Sequence, residues 1–313
     1  MHFTFLVNPA ASSGQAVASW QVLESYLKEQ ATDYEVRFSQ RAGDINEWTR
    51  LFAKYQQASD QTLVIVGGDG SLNEAINGAM AYSNANQLPL AYIPAGSGND
   101  FARARQLPTD PVAGFKRILT NVTAGTPERI DIGEYVDAIK REHRYFVNNV
   151  GIGFDATTVK LANAYTHKKI LNKLKLGKFV YLSALFKTFS LQDTFQIELD
   201  VNQRRHYFNR GYLLTLSNHP YFGGGIKIMP DADERDGLID LIVIERPKVF
   251  IKLFVILAQL MRGKHYQYKE VHRFTATQIR IRTARLEFGH ADGEELGSRA
   301  FDMVATTQPY PFW

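Results

Sequence analysis

The chain has 313 residues, 45% of them hydrophobic and 22% charged, with a formal net charge of +4 and no cysteine. At roughly one domain per ~150 residues this length suggests two domains, and the apolar share is enough to bury a core. The missing cysteine excludes disulfides, zinc–thiolate sites and a thiol nucleophile, and fits a reducing cytoplasm.

The first ten residues hold a short apolar run with no basic leader, and Pro9 ends it, so no signal peptide is expected. In chain order, residues 3–7 read as a strand stopped by Asn8-Pro9, and 15–30 as a helix with Val17, Trp20, Leu23 and Leu27 on one face. Residues 34–38 are a second strand and 45–55 a second helix. A third strand, 62–66, enters a glycine-rich loop and a helix over 72–81. A fourth, 88–93, enters another glycine loop and a helix near 100–105. Strands alternating with helices imply right-handed βαβ units and a parallel sheet.

After about Thr126 the texture changes. Residues 129–136, 144–150, 195–201, 211–217, 238–244, 278–282 and 286–288 read as strands joined by polar turns, with helical segments near 156–189 and 249–262. The expectation is an α/β domain over 1–126 followed by a mainly antiparallel β-sandwich domain over 127–313. The longest apolar run, 249–261, contains Lys252 and Gln259 and is well short of the ~20 residues that span a bilayer.

The sharpest local signal is Val66-Gly67-Gly68-Asp69-Gly70-Ser71-Leu72-Asn73-Glu74, where a buried strand runs into three glycines around one carboxylate and then into a helix. Glycine lets backbone N–H groups turn toward a ligand with no Cβ in the way. Successive N–H groups in such a bend, with a helix N-terminus behind them, attract anions. Asp69 would be repelled by a phosphate unless it contacts the attendant Mg²⁺, directly or through water; a tight turn with local hydrogen bonds is the plainer reading. The loop is neither a Walker A sequence nor a dinucleotide fingerprint.

A second loop, Pro94-Ala95-Gly96-Ser97-Gly98-Asn99-Asp100-Phe101, also follows a strand. Ser97 supplies a hydroxyl and Asn99 an amide, and Asp100 is suited to cap the next helix. A third, Asn8 through Gly14, ends the first strand. In a parallel sheet such loops lie at the carboxyl ends of strands, where ligands collect, and all three can converge on one nucleotide.

This ordered trio, Asn8-Pro9…Gly14, Gly67-Gly68-Asp69-Gly70-Ser71-Leu72-Asn73-Glu74 and Pro94-x-Gly96-Ser97-x-Asn99-Asp100-Phe101-Ala102-Arg103, resembles the diacylglycerol kinase catalytic domain. More widely it is similar to bacterial lipid kinases, including sphingosine-kinase relatives. The likeness implies a phosphofructokinase- and NAD-kinase-like α/β fold, ATP and Mg²⁺ as cofactors, and transfer of the γ-phosphate to a lipid hydroxyl, with diacylglycerol the default acceptor. It also places Ser39, in a loop before Gly43-Asp44, against the nucleotide.

In the second half, Gly223-Gly224-Gly225 precede the run from Pro230 to Asp240, which resembles the family's Asp-Gly turn, where bacterial members hold a structural Mg²⁺. The resemblance implies Asp233, Asp236 and a backbone oxygen of Leu238 as ligands; an ordinary acidic turn is the alternative. Asp292-Gly293-Glu294 resembles the family's Asp-Gly-Glu, whose glutamate is the general base, with Asp292 orienting the loop or a metal-bound water. Glu295 is a neighbouring carboxylate. His219 and His290 are given no role.

A bilayer-resident substrate implies peripheral contact with the inner face of the membrane from the cytoplasm. The acid-free stretch 160–187, with seven lysines beside apolar residues, divides between membrane contact and a solvated helix face. For 249–261, with Phe250, Phe254 and Leu257 at helical spacing, core packing is the expectation. No nucleic-acid partner is expected, and a homodimer is left open. The competing readings are a kinase of a soluble substrate such as NAD and a nucleotide- or lipid-binding protein without turnover.

Overall fold

Runs rich in β-branched and aromatic residues such as Phe3-Thr4-Phe5-Leu6-Val7 and Leu63-Val64-Ile65-Val66 have no polar face. They are stable only as strands covered on both sides, which is the environment of a parallel sheet. The computed structural model bears this out; it describes residues 1–55, 61–82, 88–154, 156–158, 160 and 192–313. The chain forms two compact units: Met1–Ile132 with Gly223–Gly225 and Gln308–Trp313, and Gly133–Phe222 with Ile226–Thr307.

The first unit holds strands β1 (His2–Val7), β2 (Tyr34–Phe38), β3 (Gln61–Gly67) and β4 (Leu90–Pro94) and helices α1 (Gln15–Glu29), α2 (Asp44–Tyr55), α3 (Asp69–Met80), α4 (Asp100–Ala104) and α5 (Pro111–Ala124). The strands lie in the order β2-β1-β3-β4, all parallel, and near the C-terminus Phe312 pairs in parallel with Leu90. Because the strands are parallel, the segments after Val7, Phe38, Gly67 and Pro94 all leave the same edge of the sheet. Helix α1 buries Ala16, Trp20, Leu23 and Leu27; Ala16, not Val17, completes the stripe. Trp20 and Phe115 pack on Phe5 with ring centroids 5.1 and 5.9 Å away.

Two local features differ from the sequence expectation. Helix α3 begins at Asp69, not Leu72, and β3 runs to Gly67, so only Gly68 remains between strand and helix and the aspartate sits in the first helical turn. Helix α5 was not anticipated. Its signals are nonetheless present: Asp110 accepts a 2.7 Å bond from the N–H of Ala113, Pro111 occupies the first turn, and Gly125 ends the helix at φ 71°.

Strand β5 (Glu128–Asp137) carries the chain into the second unit, which is antiparallel throughout its described pairings. It contains β6 (Glu142–Phe146), β7 (Asn149–Gly153), β8 (Phe195–Val201), β9 (Arg204–Ser217), the short β10 (Tyr221–Phe222) and β11 (Ile226–Lys227), and β12 (Ile239–Glu245). After α6 (Phe250–Leu260) come β13 (Val271–Ala276), β14 (Ile279–Thr283), β15 (Glu287–Ala291), β16 (Glu294–Arg299) and β17 (Asp302–Phe312), the last counted with the first unit from Gln308 on. The 14-residue β9 pairs through its first half with β8 and through its second with β7 and β12. A single long strand thereby serves two stretches of sheet, a usual way for a sandwich to turn its corners. Alternate residues of β8, Phe195, Ile197, Leu199 and Val201, enter the core with Ile279 and Ile281 of β14.

The expected single strand over 144–150 is in fact two, β6 and β7, interrupted at Val147-Asn148. The N–H groups of that interruption are bonded to a side chain far along the chain, as described below. The run 249–261 does not pack wholly into the core. Leu253, Ile256 and Leu260 of α6 are buried against Ile228, Met229, Ile242 and Ile244, whereas Ile251 and Val255 face outward. The lysine-rich segment lies, from 161 to 191, outside the described residues. Among those described, no helix is long and apolar enough to cross a membrane.

Candidate active site

At the carboxyl edge of the parallel sheet the loops after β1, β3 and β4 are stitched together. The N–H of Ala95 donates to the Gly67 carbonyl at 2.7 Å, and the N–H of Asn8 to the Val66 carbonyl at 3.0 Å. Gly68 and Gly96 touch backbone to backbone: a Cβ on Gly96 would lie 2.4 Å from Gly68 Cα, and one on Gly68 3.2 Å from Gly96 Cα. Glycine is needed at Gly96, where the contact is with backbone, while a Cβ on Gly68 would meet a tight contact. The Asn8 amide donates to Ser71 Oγ at 2.9 Å, and Ser12 Oγ lies 3.0 Å from Ser97 Oγ. Gly14, at φ 98°, is the left-handed residue that turns the first loop into α1.

The carboxylate of Asp69 spans two loops. Its oxygens accept the N–H groups of Asp100 at 3.0 Å and Phe101 at 3.4 Å, so Asp69 caps the next short helix, α4, from another segment. The sequence expectation had placed the cap on Asp100. Instead, the Asp100 carboxylate accepts the N–H of Gly224 at 2.8 Å and pairs with Arg103 at 2.5 Å. Burial pushes the Asp100 carboxyl above its ordinary range, against the opposing pull of those partners. Asn99 closes on its own loop, donating to the Gly96 carbonyl at 2.8 Å and accepting the Gly96 N–H at 3.0 Å. Buried Tyr92 donates to the Gly67 carbonyl at 3.1 Å; burial, with Asp69 and Asp100 nearby, keeps its phenol protonated.

The remaining first-unit residues flank these loops. The N–H of Ser39 donates to the Val7 carbonyl at 2.9 Å, placing its half-buried side chain at the same edge. Glu74 accepts the N–H of Gly43 at 3.2 Å, which ties α3 to the loop after β2. Asp44 accepts the N–H groups of Gln40 and Arg41, and those bonds hold its carboxyl below the usual range. Asn73 is buried and accepts from Asn77 within α3. Gly68, Gly70, Gly96 and Ser97 thus form one polar, glycine-rich surface, with buried Gly67 and Ser71 behind it and the α3 N-terminus at its back. Such a surface fits a polyphosphate.

In the second unit, β15 and β16 are joined by Asp292 and Gly293 at φ 48° and 85°, the paired left-handed conformation of a type I′ hairpin turn. The Asp292 carboxylate accepts three backbone N–H groups, from Val147 at 2.7 Å and from Asn148 and Asn149 at 2.9 Å. Its own N–H donates to the Asn149 carbonyl at 2.9 Å. These bonds take the donors that a continuous 144–150 strand would have used, which is why β6 and β7 separate.

The bed beneath is buried and neutral. His219 holds Asn148 Oδ1 through Nε2 at 2.7 Å, while its Nδ1 accepts the Tyr221 N–H at 3.1 Å, which fixes the tautomer with the proton on Nε2. Burial lowers the His219 pKa to about 4. Glu294, the first residue of β16, pairs opposite Ala291 through its backbone, and its exposed side chain makes no hydrogen bond or ion pair with described residues; Glu295 stands opposite His290. Sequence reasoning missed Asn148 and His219 as supports of this hairpin, because their partner lies more than seventy residues away from either.

Asp233 and Asp236 occupy an exposed turn between β11 and β12. Each spends one oxygen on its own loop: Asp233 accepts the Arg235 N–H at 3.1 Å and Asp236 the Leu238 N–H at 2.9 Å. No cluster of three or more His, Asp or Glu side chains placed to hold a metal ion exists among the described residues. Two carboxylates with a backbone oxygen still fit Mg²⁺, which keeps most of its waters.

Residues 2–135 match the profile of the diacylglycerol kinase catalytic domain, and residues 148–309 that of the YegS C-terminal NAD kinase beta sandwich-like domain. The Bacillus subtilis protein YtlR, provisionally named a lipid kinase, is 28% identical over 315 residues, 98% of either chain. A diacylglycerol kinase of Mycobacterium tuberculosis is 26% identical over 291 residues, 93% of this chain and 88% of that one. A crystal structure from Bacillus anthracis, titled as a diacylglycerol kinase, superposes with a TM-score of 0.68 at 18% identity and covers 99% of this chain and 96% of that chain. The last likeness is one of fold.

Proposed function

The chain belongs to the diacylglycerol kinase family, with the family's catalytic domain followed by its sandwich domain, and from that premise we propose that it moves the γ-phosphate of ATP onto the hydroxyl of a membrane lipid, diacylglycerol first among them. The observation that carries this reading is the fusion of three strand-end loops into one glycine surface, with Gly68 against Gly96. Phosphoryl transfer proceeds through a loose transition state, so holding and neutralising the phosphates matters more than covalent chemistry. Backbone N–H groups of these loops and the α3 N-terminus bind the phosphate oxygens. Mg²⁺, when bound, adds positive charge at the phosphates.

The chain's own groups divide the remaining work. Asp69 sets the second loop at its working distance from the first by capping α4. Asp292 locks the hairpin, and the exposed Glu294 takes the proton from the attacking lipid hydroxyl. Asp233, Asp236 and the Leu238 backbone oxygen would hold a structural Mg²⁺. The protein works peripherally, on the cytoplasmic face of the membrane that supplies its acceptor.

The test is incubation of the full chain with labelled ATP, Mg²⁺ and a panel of detergent-dispersed diacylglycerol, phosphatidylglycerol, a sphingoid base and soluble NAD. Label in diacylglycerol is the expected result. Label in NAD, or bound nucleotide with no label transferred, would overturn the reading.

A further inference from the structure

Helix α6 has two apolar faces. Leu253, Ile256 and Leu260 fill the core under it, while Ile251 and Val255 are 71% and 42% exposed, and Val249 and Met261, just outside its ends, 62% and 59%. Ile251, Val255, Ala258 and Arg262 follow at intervals of four, three and four, which on a helix is one ridge opposite the buried one. Half-buried Phe254 and Leu257 widen that ridge on one flank. Scattered exposed apolar residues are ordinary on a protein, but a contiguous ridge of them marks a docking surface.

Charge identifies what docks. Between Glu245 and Glu270 the chain has no acidic residue and six basic ones: Arg246, Lys248, Lys252, Arg262, Lys264 and Lys269. Lys248 stands exposed before the helix and Arg262 and Lys264 exposed after it; Lys252 pairs with Glu270 at 2.7 Å. A second copy of the chain is a poor fit, because a two-fold contact would set these basic ends against each other with no carboxylate between them. An apolar ridge with cationic ends is the pattern of an interfacial helix.

We propose that the outward face of α6 docks on an anionic bilayer, its ridge among the acyl chains and its basic ends at the headgroups. The proposal deepens the lipid-kinase reading by naming the surface that meets the membrane, and it rests on that reading only for the choice of occupant.

The experiment is co-sedimentation of the full chain with vesicles of phosphatidylglycerol and phosphatidylcholine, against vesicles of phosphatidylcholine alone. Binding to the mixed vesicles, falling with added salt, is expected. The double variant Ile251→Gln/Val255→Gln should lower partitioning by about tenfold or more, and Arg262→Ala and Lys264→Ala by about fivefold each, with melting temperatures unchanged because all four positions are exposed. Unchanged vesicle binding by these variants, equal binding to uncharged vesicles, or a dimer that the double variant dissociates would overturn the proposal. Vesicle binding is read without turnover. Failure of the kinase reading would show separately, as missing label in detergent-dispersed lipid.

Discussion

Two neighbouring carboxylates separate cleanly under substitution. In Asp292→Asn the turn survives, because asparagine tolerates the left-handed conformation that Asp292 adopts at φ 48°. The amide oxygen can keep the N–H groups of Asn148 and Asn149, but the new NH₂ then faces the N–H of Val147, which loses its 2.7 Å acceptor. A buried donor left unsatisfied costs ~1–3 kcal/mol, and charge-assisted bonds reduced to neutral ones lose a further ~1 kcal/mol or more. The expected loss is about 3 kcal/mol, a fall of about 6–12 °C in melting temperature for a unit of this size. Glu294→Gln should leave stability within ~0.5 kcal/mol, since the Glu294 side chain is exposed, yet lower turnover by ~10²–10⁴ if it accepts the proton. Thermal melting read by circular dichroism and labelled-lipid turnover measure the two effects. An Asp292→Asn protein that melts with the parent, or a Glu294→Gln protein that turns over like it, would refute this division of roles.

Gly96→Ala forces a Cβ to within 2.4 Å of Gly68 Cα and 2.8 Å of Asn99 Oδ1. Stability should fall by ~1–3 kcal/mol and nucleotide affinity by more than tenfold, measured by calorimetric titration; unaltered affinity would show that the loops tolerate separation. His219 has a folded pKa of about 4 against 6.5 for a free imidazole, so the unfolded chain binds more protons between these values. Its contribution is fully present above pH 6.5 and is lost as pH falls through about 4, with about 2 kcal/mol gone by pH 5. Denaturant unfolding at pH 7 and pH 5 should show this loss in the parent and a smaller one in His219→Gln; equal slopes in both would exclude His219 as the source.

The parallel half was legible because each strand is a solid apolar run and each helix carries a 3.6-residue stripe, and boundaries agree within about three residues. The glycine loops were legible as well, since Gly67-Gly68 and Gly96 advertise close backbone approach. What Asp69 and Asp100 bond was not, because both spend their carboxylates on backbone N–H groups of other segments. The same holds for Val147 and Asn148, whose partner Asp292 lies over 140 residues away and whose own segment reads locally as plain strand. In 249–261 nearly every residue is apolar, so no periodic contrast marks which side faces in; only the packing of Leu253, Ile256 and Leu260 decides it. Helix α5 is a different case, since Asp110, Pro111 and Gly125 bracket it in plain view.

The contact between Gly68 and Gly96 makes two bends, nearly thirty residues apart in the chain, into a single mechanical part. Neither can be recast alone: a chimera that borrowed one bend from a relative would seat it against a neighbour shaped to another curve. If the bends bind the nucleotide as proposed, a change in its preference would call for concerted exchange of both.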